Sequence, residues 1–389
     1  MTQTWALLLD AYRELNSKKL FWITLILSAI VVLACGMAGI NEKGITFLHW
    51  QFETPFFTTE IMSRANFYKM IFASMAIPIW LTWVATVLAL VSTGGIFPDF
   101  IASGSIELTL SKPIGRWRLF LTKYGTGLLF AGLQVLVFSL ASFLVIGVRG
   151  GSWEWGLFLA VPIVVVFFSY LFSICVLFGI VTKSTIASIL LTLLMWFGIS
   201  MMGAADGMLM MFRTQAEFRA EDGQKKVERL EKTLASQRAE LADVEGAGGE
   251  AMSAEDREAK VASLTGRIGN TERSLAGARE DVTGGERAAS QIEPWYKGVL
   301  AARTVLPKTG DTIGLLQRWL VDTSQLPGMN EDGPVDTGES LKNGQDPRVQ
   351  KRIQEQVNKR PVWWVVGTSL GFEAVVLLGA GWMFARRDF

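Results

Sequence analysis

Six long apolar runs govern what this chain can fold into. They lie near 20–40, 71–96, 121–148, 157–181, 186–211 and 362–385. Each is long enough to cross a bilayer, which takes about 20 apolar residues. A polar block, 212–361, separates the fifth run from the sixth. The pattern predicts six transmembrane spans carrying one large soluble insert.

Charge and reactive residues narrow the function. Only 19% of residues are charged, concentrated outside the runs, and the net charge of +1 offers no electrostatic footprint for nucleic acid. Cys35 and Cys175 fall inside spans, where they read as small buried hydrophobes rather than a disulfide framework. The single histidine, His49 beside Trp50, excludes a His-rich metal site and reads as an interfacial loop residue. No GxxxxGK[ST], HExxH or CxxC occurs, and no paired carboxylates stand in the spans. We therefore assign no catalytic and no metal residues, and expect a conduit or scaffold rather than an enzyme.

Residues 1–19 lack the apolar core and the following cleavage pattern of a signal peptide. Trp5, Leu8, Leu9, Tyr12 and Leu15 follow helical spacing, opposed by Asp10, Arg13, Glu14 and Lys18. This predicts an amphipathic helix lying in the interface. Six spans put both termini on one side. That side carries Arg13, Lys18, Lys19, Lys112, Arg116, Arg118, Lys123, Lys183, Arg386 and Arg387; the other carries Lys43, Arg64, Lys69 and Arg149 in its short flanks. The excess of basic residues predicts cytoplasmic termini in the inner (plasma) membrane and an extracytoplasmic insert. Trp50, Trp153, Trp155, Trp363 and Trp364 then fall at the outer boundary, where amphipathic rings are favoured.

The insert reads in two parts, 212–293 and 294–361, between a first membrane part, 1–211, and a last, 362–389. Val227, Leu230, Leu234, Leu241 and Val244 form one apolar stripe, with Gln237 in the seam. Val261, Leu264, Ile268, Leu275, Ala278 and Val282 form a second, with Thr271 in the seam, after the Gly-rich 246–252. Two such stripes predict an antiparallel helical hairpin. Gly266, Gly269, Gly284 and Gly285 are expected to weaken its second arm. Residues 294–325 predict two short amphipathic helices broken near Pro307 and Gly310, 326–348 a loop, and 348–359 a short polar helix. The expected fold class is an all-α membrane protein: six transmembrane helices, an N-terminal amphipathic helix and an extracytoplasmic antiparallel helical hairpin.

Glu373 stands near the middle of the last span. A carboxylate there is expensive and normally faces a bundle interior. Gln134, Ser169, Tyr170 and Ser173 are candidate partners. Structural bonding, proton uptake and a place on the transport route all remain open for it. Met201, Met202, Met208, Met210 and Met211 read as adaptable packing rather than a thioether metal site. Pro78 and Pro162 are expected to kink their spans.

Residues 97–123 between the second and third spans are too long for a turn and mix apolar with charged groups. Pro113 ends a helix and fixes a turn that presents Lys112 and Arg116. The stretch SGSIELTLSKPIGR at 103–116, followed by LFLTKYGTGLL, resembles the inner loop of ABC type-2 transporter permeases. In that family a similar stretch contacts a separate nucleotide-binding subunit. The matching positions are Gly104, Ile106, Glu107, Leu108, Leu110, Ser111, Lys112, Pro113, Ile114 and Arg116. The ending ARRDF also resembles the family's usual terminus, whereas the helical hairpin is an addition to its pattern. The resemblance implies an exporter permease subunit, working with an ABC ATPase subunit and a second permease subunit as a homo- or heterodimer. ATP and Mg would then sit on the partner ATPase, with no cofactor in this chain. A second reading is a membrane scaffold or sensor that uses the 213–292 hairpin to engage an extracytoplasmic protein. Co-purification of an ATP-binding protein separates the two.

Overall fold

The computed structural model describes residues 19–53, 58–59, 63–102, 115–246, 253–320 and 347–386. The predicted N-terminal amphipathic helix, the turn of the hairpin at 247–252 and most of the 326–348 loop lie outside the described residues. Six helices are long and apolar enough to cross a membrane: α1 (Lys19–Met37), α2 (Arg64–Ile101), α3 (Arg116–Gly150), α4 (Trp155–Thr182), α5 (Thr185–Glu245) and α9 (Trp363–Arg386). Between α5 and α9 come α6 (Ala254–Val305), α7 (Thr309–Leu320) and α8 (Pro347–Asn358).

The structure is predominantly helical, as an all-α membrane protein is, with one small addition. A three-stranded antiparallel meander follows α1: β1 (Ala38–Asn41), β2 (Gly44–Phe47) and β3 (Trp50–Glu53). Its register pairs Ile40 with Ile45 and Phe47 with Trp50. The first turn is closed by Asn41 Oδ1, which accepts from the amides of Lys43 and Gly44 at 3.1 Å each. Gly44 has φ 139°, which a side chain disfavours. β3 alternates apolar and polar residues, Trp50, Gln51, Phe52 and Glu53, a four-residue signal at the short limit of the two-residue period.

The chain divides into two compact units. One lies within Met1–Gly203, Ala302–Val335 and Arg360–Phe389, the other within Ala204–Ala301 and Asp336–Lys359. In the first unit α4 is the central span, 78% buried over its most apolar window against 22% for α1 and 28% for α9. It packs on both α3 and α9. Phe167, Phe168, Tyr170, Leu171 and Phe172 are all within 1% of full burial. By contrast α1 buries Phe21, Thr24, Ser28 and Val32 on one stripe and leaves Trp22, Ile26, Ile30 and Leu33 exposed, as a lipid-facing span does. Trp80 Nε1 donates to Ser28 Oγ at 3.0 Å and joins α2 to α1.

Pro78 lies within a π-type stretch, Ile71–Ala85. Thr82 and Thr86 donate their hydroxyls to the carbonyls five residues back, Ile77 at 3.1 Å and Leu81 at 2.8 Å. Such side-chain bonds make a widened turn tolerable in lipid. Pro162 is the third residue of the α-helical stretch Ala160–Thr182, in the first turn, where its missing amide is no loss. The expected kink has no cause there.

The helix of the fifth span does not stop where its apolar run ends near 211: it continues unbroken to Glu245 in the second unit. Likewise α6 passes through Pro294, so the first of the two short helices expected in 294–325 is its continuation. Residue pairing falls in one number as it rises in the other: Arg213–Glu293, Arg219–Asp281, Arg238–Glu272 and Lys260–Glu240. The arms therefore run antiparallel. Leu234, Val244, Leu264, Leu275 and Ala278 are buried between them. The two polar seam residues meet each other, Thr271 Oγ1 donating to Gln237 Oε1 at 3.0 Å. Against this pair rests α8: Arg348 and Arg352 bond Asp222 and Glu221 and lie 5.2 and 5.1 Å from the Phe218 ring.

Candidate functional site

Of the inner-loop residues, Gly104, Ile106, Glu107, Leu108, Leu110, Ser111, Lys112, Pro113 and Ile114 lie outside the described residues. Arg116 is described, and it opens α3 behind an extended Gly115. Its Nη1 donates to the Ala385 carbonyl, at the end of the last span, at 2.8 Å. What surrounds both ends of this loop is the informative part. Phe97 of α2, Phe120 of α3 and Phe384 of α9 form one aromatic cluster, with centroids 5.3 Å (Phe97–Phe120), 6.1 Å (Phe97–Phe384) and 5.9 Å (Phe120–Phe384) apart. All three rings are buried. Trp117 joins Phe120 edge-on and lies on Gly381, where a Cβ would come within 2.2 Å of the indole. Only glycine lets the ring approach the backbone of α9 so closely. Lys123 sits 5.2 Å from the Phe100 ring, and Thr185 donates to Asp99 Oδ1 at 3.1 Å, tying α2 to the start of α5. The loop ends are thus in contact with α2, α3, α5 and α9. Interdigitated rings at native density resist continuous deformation. Sequence reasoning missed Phe97, Trp117, Phe120 and Gly381; their only signal was aromatic residues within a few positions of a loop already singled out.

The second constellation surrounds Glu373, about ten residues, or roughly 15 Å of helix rise, past Trp363. Glu373 is 7% exposed. Tyr124 of α3 donates to its Oε1 at 2.8 Å and Ser169 of α4 to its Oε2 at 2.6 Å. Each donor also has an alternative acceptor: the Ser169 carbonyl stands 3.1 Å from the Tyr124 hydroxyl, and the Val166 carbonyl 2.8 Å from Ser169 Oγ. A hydroxyl carries one proton, so only one acceptor is served at a time. A carboxylate takes both protons. A neutral carboxyl keeps one of these donors on its carbonyl oxygen, releases the other hydroxyl to its backbone carbonyl and donates its own proton to that hydroxyl. The site therefore tolerates either state without orphaning a polar atom.

Of the partners considered for Glu373, Ser169 bonds it directly, and Gln134 and Tyr170 do not. Gln134 Nε2 and the Tyr170 hydroxyl are buried without a hydrogen-bond partner among the described residues, as are Ser139 and Ser142 on α3. Ser173 donates to the Tyr170 carbonyl at 2.8 Å. Tyr124, the partner that reasoning from sequence passed over, is 249 positions away. Of the methionines, Met201 and Met208 are exposed while Met210 is 3% exposed. Asp206 is 3% exposed and does not face solvent. No group of three or more His, Cys, Asp or Glu side chains that could hold a metal occurs among the described residues.

A family model described as ABC-2 family transporter protein matches residues 10–240, which takes in the inner loop, both constellations' residues on α2 to α4, and the first arm of the hairpin. No curated protein and no solved structure matches the chain.

Proposed function

The chain belongs to the ABC-2 family of transporter proteins and is a membrane permease component of an ABC transporter; from that footing we propose that it is the permease of an ATP-driven exporter, worked through residues 97–123 by a separate nucleotide-binding subunit. Both termini and that loop face the cytoplasm, and the α5–α6 hairpin stands on the other side. A second permease subunit completes the pathway. ATP and Mg belong to the ATPase.

The observation that carries this reading is the aromatic fastening of the loop ends. A loop that served only to set topology would need no buried Phe97–Phe120–Phe384 cluster binding it to three spans. Such a cluster suits a lever, since force applied at residues 103–116 reaches α2, α3 and α9 together.

The test is co-purification in mild detergent from the native membrane. Wild type is expected to bring down an ATP-binding subunit, and Glu107→Lys to lose most of it while still inserting. Undiminished recovery of that subunit with Glu107→Lys refutes the coupling role.

A further inference from the structure

A carboxyl enclosed in a membrane bundle exchanges its proton only where polar groups lead to it. Such groups lead to Glu373 from the end of the bundle where the last span begins. Lys308 stands in the link between α6 and α7 and is 2% exposed. Its ammonium reaches the carbonyl of Thr304, an exposed residue, at 3.4 Å and donates to Thr368 Oγ1 at 2.6 Å. Its amide donates to Ser369 Oγ at 2.9 Å, and its carbonyl accepts from Thr312 Oγ1 at 2.9 Å. The hydroxyls of Thr312 and Ser369 and the Glu373 carboxyl are in turn the polar neighbours of the Tyr170 hydroxyl. Ser369 precedes Glu373 by one turn of α9. Ser169, beside Tyr170 on α4, donates to Glu373 Oε2 at 2.6 Å. Thr312, Ser369 and Tyr170 are all buried.

Tyr170 is the link that the protein's own bonds leave open. Thr312 and Ser369 donate to the Lys308 and Val365 carbonyls, at 2.9 and 2.6 Å, and neither forms a well-directed bond with the Tyr170 hydroxyl. A hydroxyl buried in that way is costly, and in proteins such a group commonly holds a water. Each hydroxyl can both give and take a proton. One water at Tyr170 makes the line from Lys308 to Glu373 continuous.

Among the described residues the opposite end is closed. Past Glu373, residues 374–384 of α9 carry no hydroxyl, carboxyl or amide side chain. Tyr124 stacks on Phe172 with centroids 5.2 Å apart, and Phe172 on Phe168 at 5.5 Å. Beyond them lies the buried Phe97–Phe120–Phe384 cluster. The charged and titratable groups around the route are Tyr124 of α3, Tyr170 of α4, and Lys308 with Arg303, Asp311 and Arg360 about it. Lys123 precedes Tyr124 on α3 and lies 5.2 Å from the Phe100 ring. Burial, then the field of Arg303, opposed by Asp311, brings Lys308 down to about 8, so it gives and takes protons close to neutral pH. We propose that Glu373 is a proton-binding site served from the end of the bundle where the last span begins, through Thr312, Ser369 and Tyr170. Uptake turns the carboxylate into the neutral acid, and release returns the proton along the same line. The shared hydroxyls of Tyr124 and Ser169 accommodate both forms.

Infrared difference spectroscopy on the full chain in lipid vesicles tests this, with the pH lowered on one face at a time. No ATPase subunit is present, so the result is independent of the coupling reading. Vesicles with the α5–α6 hairpin outward are collected through Ser253→Cys, on the same side as the head of the last span. Lowering the outside pH is expected to raise a protonated-carboxyl band that Glu373→Gln abolishes. Lowering only the inside pH should not raise it. Tyr170→Phe, which keeps the ring and removes the hydroxyl, should slow its rise several-fold. Ser173→Ala removes a hydroxyl that bonds the Tyr170 carbonyl, off the route, and should leave the rise unchanged. Should Tyr170→Phe fail to fold, Thr312→Val breaks the line one step further out. The proposal is overturned if Glu373→Gln removes no pH-dependent carboxyl band, or if that band follows the inside pH. A wild-type rate in Tyr170→Phe, or in Thr312→Val where that replaces it, also overturns it, as does an equal slowing in Ser173→Ala.

Discussion

Glu373 shows how a single residue can be kept in a membrane core. Its two oxygens are each met by a hydroxyl, from Tyr124 and from Ser169, and each hydroxyl has a backbone carbonyl in reserve. Glutamine fits this arrangement: its carbonyl accepts from Tyr124, and its amide donates to Ser169 Oγ once that hydroxyl turns to the Val166 carbonyl. Alanine leaves a gap and removes two hydrogen bonds. Glu373→Gln is therefore expected to stay close to wild type in thermal unfolding, while Glu373→Ala loses about 1–3 kcal/mol. Equal loss in both would mean that the charge itself holds the site, contrary to the reading that either protonation state is accommodated.

At the scale of elements, glycines that look alike in sequence divide by what faces them. A Cβ at Gly285 of α6 would lie 2.7 Å from the Ala216 carbonyl oxygen and 2.8 Å from the Ala220 amide, both backbone atoms that cannot swing aside. A Cβ at Gly223 would lie 2.9 Å from the Val282 side chain and 3.1 Å from its amide nitrogen. These positions let the two arms approach closely, so the expectation that Gly285 merely weakens its helix is corrected. Gly266 and Gly269 face open space, and there the ordinary helix penalty of glycine stands. Gly266→Ala should stabilise the hairpin by about 0.5–1 kcal/mol, and Gly285→Ala should destabilise it. Thermal melts followed by circular dichroism on the whole protein give the two signs; a matching sign would remove the close-approach argument. The exposed pairs Arg219–Asp281 and Arg279–Glu231 add little, since pairs more than about 40% exposed are screened by water. The buried Thr271–Gln237 bond is the better candidate for fixing register.

For the whole molecule, the central question is which side each loop faces. The proposed orientation, drawn from the basic flanks, has residues 97–123 in the cytoplasm and the hairpin across the membrane. Single cysteines at Ser111 and at Ser253, in a Cys35→Ser, Cys175→Ser background, report this with an impermeant thiol reagent on intact cells, or spheroplasts where an outer membrane intervenes. Reaction at Ser253 alone is expected, and reaction at Ser111 would invert the orientation. Both native cysteines are free thiols, so the background change touches no disulfide. The α8 segment bears on any deletion of the insert. Its Arg348 and Arg352 are seated on Phe218, Glu221 and Asp222, so removing 213–292 strips α8 of those contacts.

The sequence by itself determined whatever depends on local composition. A hydrocarbon core demands about 20 apolar residues per helix, so the six runs announced themselves. The seam stripes around Leu234 and Leu264 were likewise written at a three-four spacing, and the inner loop carried a stretch specific enough to suggest the family. Tertiary structure alone decided where distant segments meet. Tyr124 reaches Glu373 across 249 positions, and Trp117 lies on Gly381 because no side chain stands in its way. The fifth span's passage through 211 into the hairpin arm was also hidden, because loss of hydropathy marks the end of lipid contact and not the end of a helix. Helical hydrogen bonds are made within four residues and do not register that boundary.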